Sequence, residues 1–183
     1  RAYGFDLLLR KREGRQTGWI ALNTGVTERA IDGLELDANG RPQTFRSKFD
    51  RRITLHIIHS WRFSDRWTLS SRFTEASGQP YTQVFGTGEI ELPSGIRWDF
   101  QERGELNGVR LPQYERLDTS VARQFDFGGW DMKVYLQIVN LSNHKNIFNY
   151  YWTDGTAHKR KPGKRKELSM LPILPSFGLD FSF

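Results

Sequence analysis

Apolar and polar residues alternate along most of this chain with a period of two. The cleanest stretch is 52–63: Ile53, Leu55, Ile57, His59, Trp61 and Phe63 fall on one side, Arg52, Thr54, His56, Ile58, Ser60 and Arg62 on the other. A helix would interleave these sets, whereas an extended strand separates them. The stretch is about 12 residues long, against ~5–6 for strands of soluble proteins. It suits a tilted strand that crosses a bilayer, which takes ~9–11 residues.

The same reading recurs. Residues 3–11 set Tyr3, Phe5, Leu7 and Leu9 against Asp6, Leu8 and Arg10, and residues 17–29 form a weaker strand with Trp19 and Ala21 on one face. In 67–76, Trp67, Leu69 and Phe73 oppose Thr68, Ser70, Arg72 and Thr74; in 114–125, Leu117, Val121 and Phe125 oppose Arg116, Asp118 and Ser120. In 130–140, Trp130, Met132, Val134, Leu136 and Ile138 oppose Asp131, Lys133, Tyr135 and Gln137. The end sets Phe177, Leu179, Phe181 and Phe183 against Ser176, Gly178, Asp180 and Ser182, which makes seven predicted strands. Short connections (13–16, 64–66, 126–129) alternate with long ones (31–48, 85–113, 154–166). Short turns on one rim and long loops on the other is the outer-membrane barrel pattern. The fold expected is therefore all-β: an antiparallel up-and-down meander of about seven long strands, part of a transmembrane barrel and an open curved sheet by itself.

Aromatic positions sharpen this. Trp61, Phe63, Trp67, Phe125 and Trp130 cluster where strands meet the short turns, and Phe181 and Phe183 close the chain; Tyr81, Phe85, Tyr150, Tyr151 and Trp152 lie toward the other end. Rings at both boundaries form the girdles of a membrane barrel, whereas sandwich-core aromatics would concentrate mid-strand. The 37% hydrophobic content would by itself suggest a soluble protein, but barrel strands are only half apolar. No apolar run approaches the ~20 residues of a membrane helix. With no cysteine and four histidines there is no disulfide framework and no recognisable metal site, so neither metal nor cofactor is expected.

Several segments resemble the terminal barrel strands of TonB-dependent outer-membrane receptors: Phe49-Asp50-Arg51-Arg52, Ser77-Gly78-Gln79-Pro80-Tyr81, and Leu111-Pro112-Gln113-Tyr114-Glu115-Arg116-Leu117-Asp118. Val139-Asn140-Leu141-Ser142-Asn143 with Lys145-Asn146 resembles the family element N-L-F-N-x-x-N, with Ser142 where Phe is usual. The final residues, 176–183, resemble the C-terminal β-signal of outer-membrane proteins through Ser176, Gly178, Phe181 and the terminal Phe183. The resemblance implies that residues 1–183 are the C-terminal piece of a barrel of ~22 strands in the outer membrane of a Gram-negative cell. Its N-terminal plug would lie outside this chain. The whole would import a nutrient such as a siderophore, vitamin or glycan with energy relayed by TonB. Its partners would be outer-membrane lipid, the plug, TonB, and the barrel-assembly machinery acting through the last strand. An odd strand count and a start at Arg1 agree with a fragment.

Other chemistry weighs less. Arg52, Arg62, Arg72, Arg116 and Asp118 alternate onto the polar face, which in a barrel is the lumen. The net charge of +6 owes much to His158 and its followers Lys159, Arg160, Lys161, Lys164, Arg165 and Lys166, a solvated loop or a contact for lipopolysaccharide phosphate. Without interleaved aromatics or a nucleic-acid fold, no nucleic-acid partner is expected. Glu89, Glu91, Asp99, Glu102 and Glu105 make another loop acidic. His56 and Ser60 share a face, but four residues apart on a strand is ~13 Å, so no catalytic pair and no enzyme is expected. The competing readings are a complete small β-protein that binds a lipid or other apolar ligand, and an outer-membrane barrel enzyme.

Overall fold

The computed structural model of the chain describes residues 1–153 and 164–183, the side chains of Asp99 and Thr153 excepted. Its strands in chain order are β1 (Ala2–Lys11), β2 (Gln16–Arg29), β3 (Phe45–Arg46), β4 (Ile53–Arg62), β5 (Trp67–Ala76), β6 (Pro80–Tyr81), β7 (Val84–Glu91), β8 (Arg97–Arg103), β9 (Val109–Arg110), β10 (Tyr114–Asp126), β11 (Asp131–Val139), β12 (Ile147–Thr153), β13 (Lys164–Ser169) and β14 (Leu174–Ser182). The chain is all-β, and every strand pair is antiparallel. The main sheet runs β1-β2-β4-β5-β10-β11-β14, with β3 attached to β2. These seven long strands are the seven that alternation marks, in chain order and each paired with its predecessor. The path is open: β1 and β14 are its two edges and do not pair with each other.

Register fixes the faces. Leu9, Ile20, Ile57, Phe73 and Leu117 form one row straight across five strands. Trp61, Leu69, Val121, Leu136 and Phe177 form a second apolar row nearer the short turns, beyond an intervening row of His59, Ser71, Thr119 and Ile138. The opposite face carries rows such as Ser60, Ser70, Ser120, Gln137 and Ser176. Because a strand's period is two, the residues of one register row all lie on the same face of the sheet. Trp19 and Ala21 share one face of β2 as expected, and it is the polar one. Trp19 pairs with Arg10 and Ile58, and Ala21 with His56, so Ile20 and Leu22 supply β2's apolar side. Both sides of β2 carry apolar residues, so alternation alone could not orient it.

Neither face is covered. Among the described residues the buried side chains are Ala76, Pro80, Ser47, Asp50, Asn140 and Asn146, so there is no apolar core. The accessible surface is 13617 Å², about half as much again as the ~9,100 Å² expected of a compact folded monomer of this mass. Of the apolar stripe Leu55, Ile57, Leu69, Leu117, Val134, Leu136 and Leu179, none is buried, but only Leu136 and Leu179 are exposed, each by about half, and the other five are more covered than that. The expectation of general exposure is corrected to that extent. Cross-strand neighbours ~4.5–5.5 Å away shield one another within the sheet.

The long connections are also more ordered than the sequence suggests. β7 and β8 pair as a hairpin, as do β12 and β13, and β6 pairs with β9. Residues 85–113 are thus not a plain loop. Gly86, Gly88 and a register shift between Val84 and Gly86 break the alternation that would have revealed β7.

Candidate functional site

Three features stand out on this sheet: an aromatic rim, a polar face and a buried polar collar. The rim runs along the short turns. Trp61 lies 5.6 Å from Phe63, ring centre to ring centre, and Phe63 stacks on Trp67 at 6.2 Å. The Arg123 guanidinium then spans from the Trp67 ring (5.3 Å) to the Phe125 ring (4.6 Å). Phe125 and Phe127 stack at 6.3 Å, Phe127 and Trp130 at 4.3 Å, and Trp130 meets Phe181 at 5.9 Å and Phe183 at 6.4 Å. The five rings singled out in the sequence are therefore brought into one chain from β4 to β14. Two members went unread: Phe127, inside a turn, and Arg123, whose charge disguises its place on the apolar face.

On the polar face the register aligns Arg10, Trp19, Ile58, Arg72 and Asp118 in one row. Arg62, Arg72, Arg116 and Asp118 lie on this face as expected, and Arg116 Nε donates to Asp118 Oδ1 at 2.7 Å. Asp6 accepts from Asn23 Nδ2 at 2.7 Å. Arg52 is the exception. It precedes β4 and turns to Asp50 at 3.1 Å, outside the strand face. His56 and Ser60 are not brought together: His56 Nδ1 meets Thr74 Oγ1 at 3.2 Å, and Ser60 accepts from Ser70 at 3.4 Å.

The collar sits at the long-loop rim and gathers the resemblance-bearing motifs. Asp50, 1% exposed, accepts from the Thr27 amide at 2.6 Å, from Arg52 Nε at 3.1 Å and from Arg110 Nη2. Burial pushes the Asp50 carboxyl up, but the Thr27 amide, the Arg110 hydrogen bond and the charges of Arg52 and Arg110 outweigh it and hold the group below its ordinary value. Arg110 Nη1 also donates to the Asp50 carbonyl and, at 3.0 Å, to the Gly78 carbonyl. Ser77 Oγ accepts from the Arg52 amide at 2.8 Å. Gly78 is pressed against the chain after β9: a Cβ there would stand 1.6 Å from the Leu111 carbonyl oxygen. Gly78→Ala must therefore move backbone, and a loss of about 2–3 kcal/mol is expected. Urea unfolding of the full-length product would measure it; a midpoint unchanged from wild type would show that the collar yields freely.

A second latch joins β10, β11 and β14. Asn140 and Asn143 both take left-handed backbone (φ 54 and 50), which asparagine tolerates better than most residues. Asn140 Nδ2 donates to the His144 and Leu171 carbonyls, and its own amide donates to Asp118. Asn143 Oδ1 accepts from the Ile173 amide at 3.0 Å. Asn146 pairs its side-chain amide with both the amide and the carbonyl of Glu115, as another strand's backbone would. Ser142 is exposed, so the departure from the usual Phe leaves no cavity.

Beyond the collar the hairpins touch. Tyr81 and Tyr150 are 5.4 Å apart, and Trp152 Nε1 donates to the Val84 carbonyl at 3.2 Å. Burial and the Tyr150 phenol push the Tyr81 hydroxyl above its ordinary value. Of the basic run, Lys164, Arg165 and Lys166 are exposed on β13, with Arg165 over the Tyr150 ring at 4.7 Å. His158, Lys159, Arg160 and Lys161 lie outside the described residues. The acidic loop is partly neutralised, since Glu89 and Glu91 both approach Arg97 at 3.3 and 3.7 Å. The Asp99 side chain lies outside the described residues.

In β14, Ser176 and Gly178 fall on the polar face and Phe181 on the apolar one. Gly178 has a local reason to be glycine: Tyr135, its register partner, lays its ring where a Cβ would stand, 2.3 Å from the ring tip. Phe183 is 98% exposed. Among the described residues no three His, Asp or Glu side chains converge on a metal position. Comparison with family models, with curated proteins and with solved structures finds no match to this chain.

Proposed function

We propose that this chain forms seven strands of the barrel of a TonB-dependent outer-membrane receptor, and that the complete protein imports a nutrient across the outer membrane. The observation that carries the reading is the uncovered apolar face, bounded at the short-turn rim by the ring chain from Trp61 to Phe183. A face of this extent is not tolerated by soluble monomers, and lipid would cover it. The opposite face, lined with Ser60, Ser70, Arg72, Arg116 and Asp118, suits a wet lumen and a polar plug. The free edges of β1 and β14 would find partners in the rest of a closed barrel, which removes exposed edges. The sequence resemblance, not the sheet, supplies the receptor class, TonB and the plug.

The two faces can be told apart chemically, because this stretch has no cysteine. In cells making the full-length product, Val121→Cys is expected to resist a water-soluble maleimide and Ser120→Cys to react through the lumen. Equal labelling at both positions would sink the membrane reading. Capture of the full-length product by the TonB C-terminal domain would test the receptor class; an inserted barrel that TonB ignores points to another outer-membrane activity.

A further inference from the structure

Arg123 is the charged residue that the aromatic rim encloses. It stands on the apolar face, in register with Trp67 and Val134. The Trp67 and Phe125 rings take its guanidinium at 5.3 and 4.6 Å, and its buried Nε has no hydrogen-bond partner among the described residues. No carboxylate is in ion-pair reach of it among the described residues. Asp126 and Asp131 are register partners on the other face, while Glu28, Glu75 and Glu115, on its own face, stand at the far rim. A guanidinium framed by rings and without a carboxylate in reach keeps its planar fork open to phosphate oxygens, whose geometry it matches. The row Leu69, Val121, Leu136 and Phe177 borders it immediately toward the sheet centre. A ligand there meets a cation beside a continuous apolar track.

We infer that Arg123, framed by Trp67 and Phe125, binds the phosphate of an anionic glycerophospholipid in the leaflet at the short-turn rim, with an acyl chain along the adjoining apolar row. The inference rests on the membrane reading above. The apolar track favours a lipid over free phosphate, because only an amphiphile uses both halves of the site. Ring contact also holds the cation at headgroup depth, where uncompensated charge is least costly.

The test uses the full-length protein, delipidated in detergent and titrated with dioleoylphosphatidylglycerol under native mass spectrometry. Heat-modifiable mobility is read on the same samples. Arg123→Gln is expected to keep the mobility shift yet hold one lipid fewer where wild type is saturated, a loss of at least about tenfold at that site. Arg123→Lys should recover part of it. Equal lipid retention by Arg123→Gln would overturn the site. So would displacement of the lipid by millimolar inorganic phosphate, which would make it a simple anion site, or loss of the mobility shift in Arg123→Gln, which would make the side chain structural. A wild type without heat-modifiable mobility would instead remove the membrane reading on which the site depends.

Discussion

Asp50→Ala is expected to destabilise the folded protein by about 3–5 kcal/mol, the range for stripping one partner from a buried charge network. The carboxylate is the hub of the collar: it takes the Thr27 amide and the guanidinium groups of Arg52 and Arg110. Removing it leaves two cations facing one another and an amide of β2 without its acceptor. Asp50→Asn should lose less, since its Oδ1 can still accept from Thr27 while its NH₂ meets guanidinium. Acid should mimic the substitution. Asp50 is held below its ordinary value in the folded state, so its contribution is complete above the unfolded-state value of ~3.9 and disappears as pH falls through the lower folded value. Wild type should therefore lose more stability than Asp50→Asn between about pH 4 and strongly acid solution. Parallel acid dependence of the two in urea unfolding of the full-length product would show that the hub contributes nothing. This expectation holds whether lipid or protein covers the sheet, because it concerns only the rim.

The collar was the least legible feature in the sequence, although every residue in it was visible. Asp50 and Arg110 are separated by 60 positions, and their ion pair depends on strand pairing that no short pattern encodes. The motifs around Asp50, Gly78 and Leu111 carry the resemblance, and their physical reason, Gly78 pressed to the Leu111 carbonyl, exists only in the folded chain. The strands themselves were far more legible. In β4 the polar and apolar sets separate cleanly, and its register with β5 keeps Ile57 on Phe73 and Ser60 on Ser70. In β2 they do not, because the face that Trp19 and Ala21 share is the polar one: Trp19 pairs there with Arg10 and Ile58, beside His56 at 6.3 Å. The hairpins in the long connections failed for another reason. Their alternation spans few residues and is interrupted by Gly86 and Gly88, so composition spoke louder than period. Arg52 shows the limit of parity itself. It continues the polar set of β4 by count, yet the strand begins one residue later, and its side chain goes to the carboxylate behind it.

On the proposed barrel reading, β14 can serve folding or assembly, and deleting Phe183 is the cleaner probe of the second. Gly178 could serve either: its lack of a side chain is already accounted for by the Tyr135 ring lying over it. Phe183 has no such account. It is 98% exposed, follows the last paired residue, and among the described residues its one ring neighbour is Trp130, 6.4 Å away from ring centre to ring centre. Even full interfacial burial of the ring would add ~1.5–3 kcal/mol, small beside the stability of the proposed closed barrel. If packing were all it did, full-length protein lacking Phe183 would accumulate in the outer membrane at nearly wild-type level. If the terminal aromatic is read by the assembly machinery, folded protein in that membrane should fall at least about tenfold, the loss that ~1.4 kcal/mol of recognition would bring, with degradation products in the periplasm. Phe183→Tyr should restore most of it, because a terminal ring remains, and Phe183→Ala should not. The measurement is the heat-modifiable fraction in washed outer membranes, compared with urea resistance of whatever barrel does assemble. Equal amounts of folded wild-type and truncated barrel would reject the signal. A truncated barrel that is scarce but as urea-resistant as wild type would place the role of Phe183 in assembly, with the finished fold indifferent to its loss.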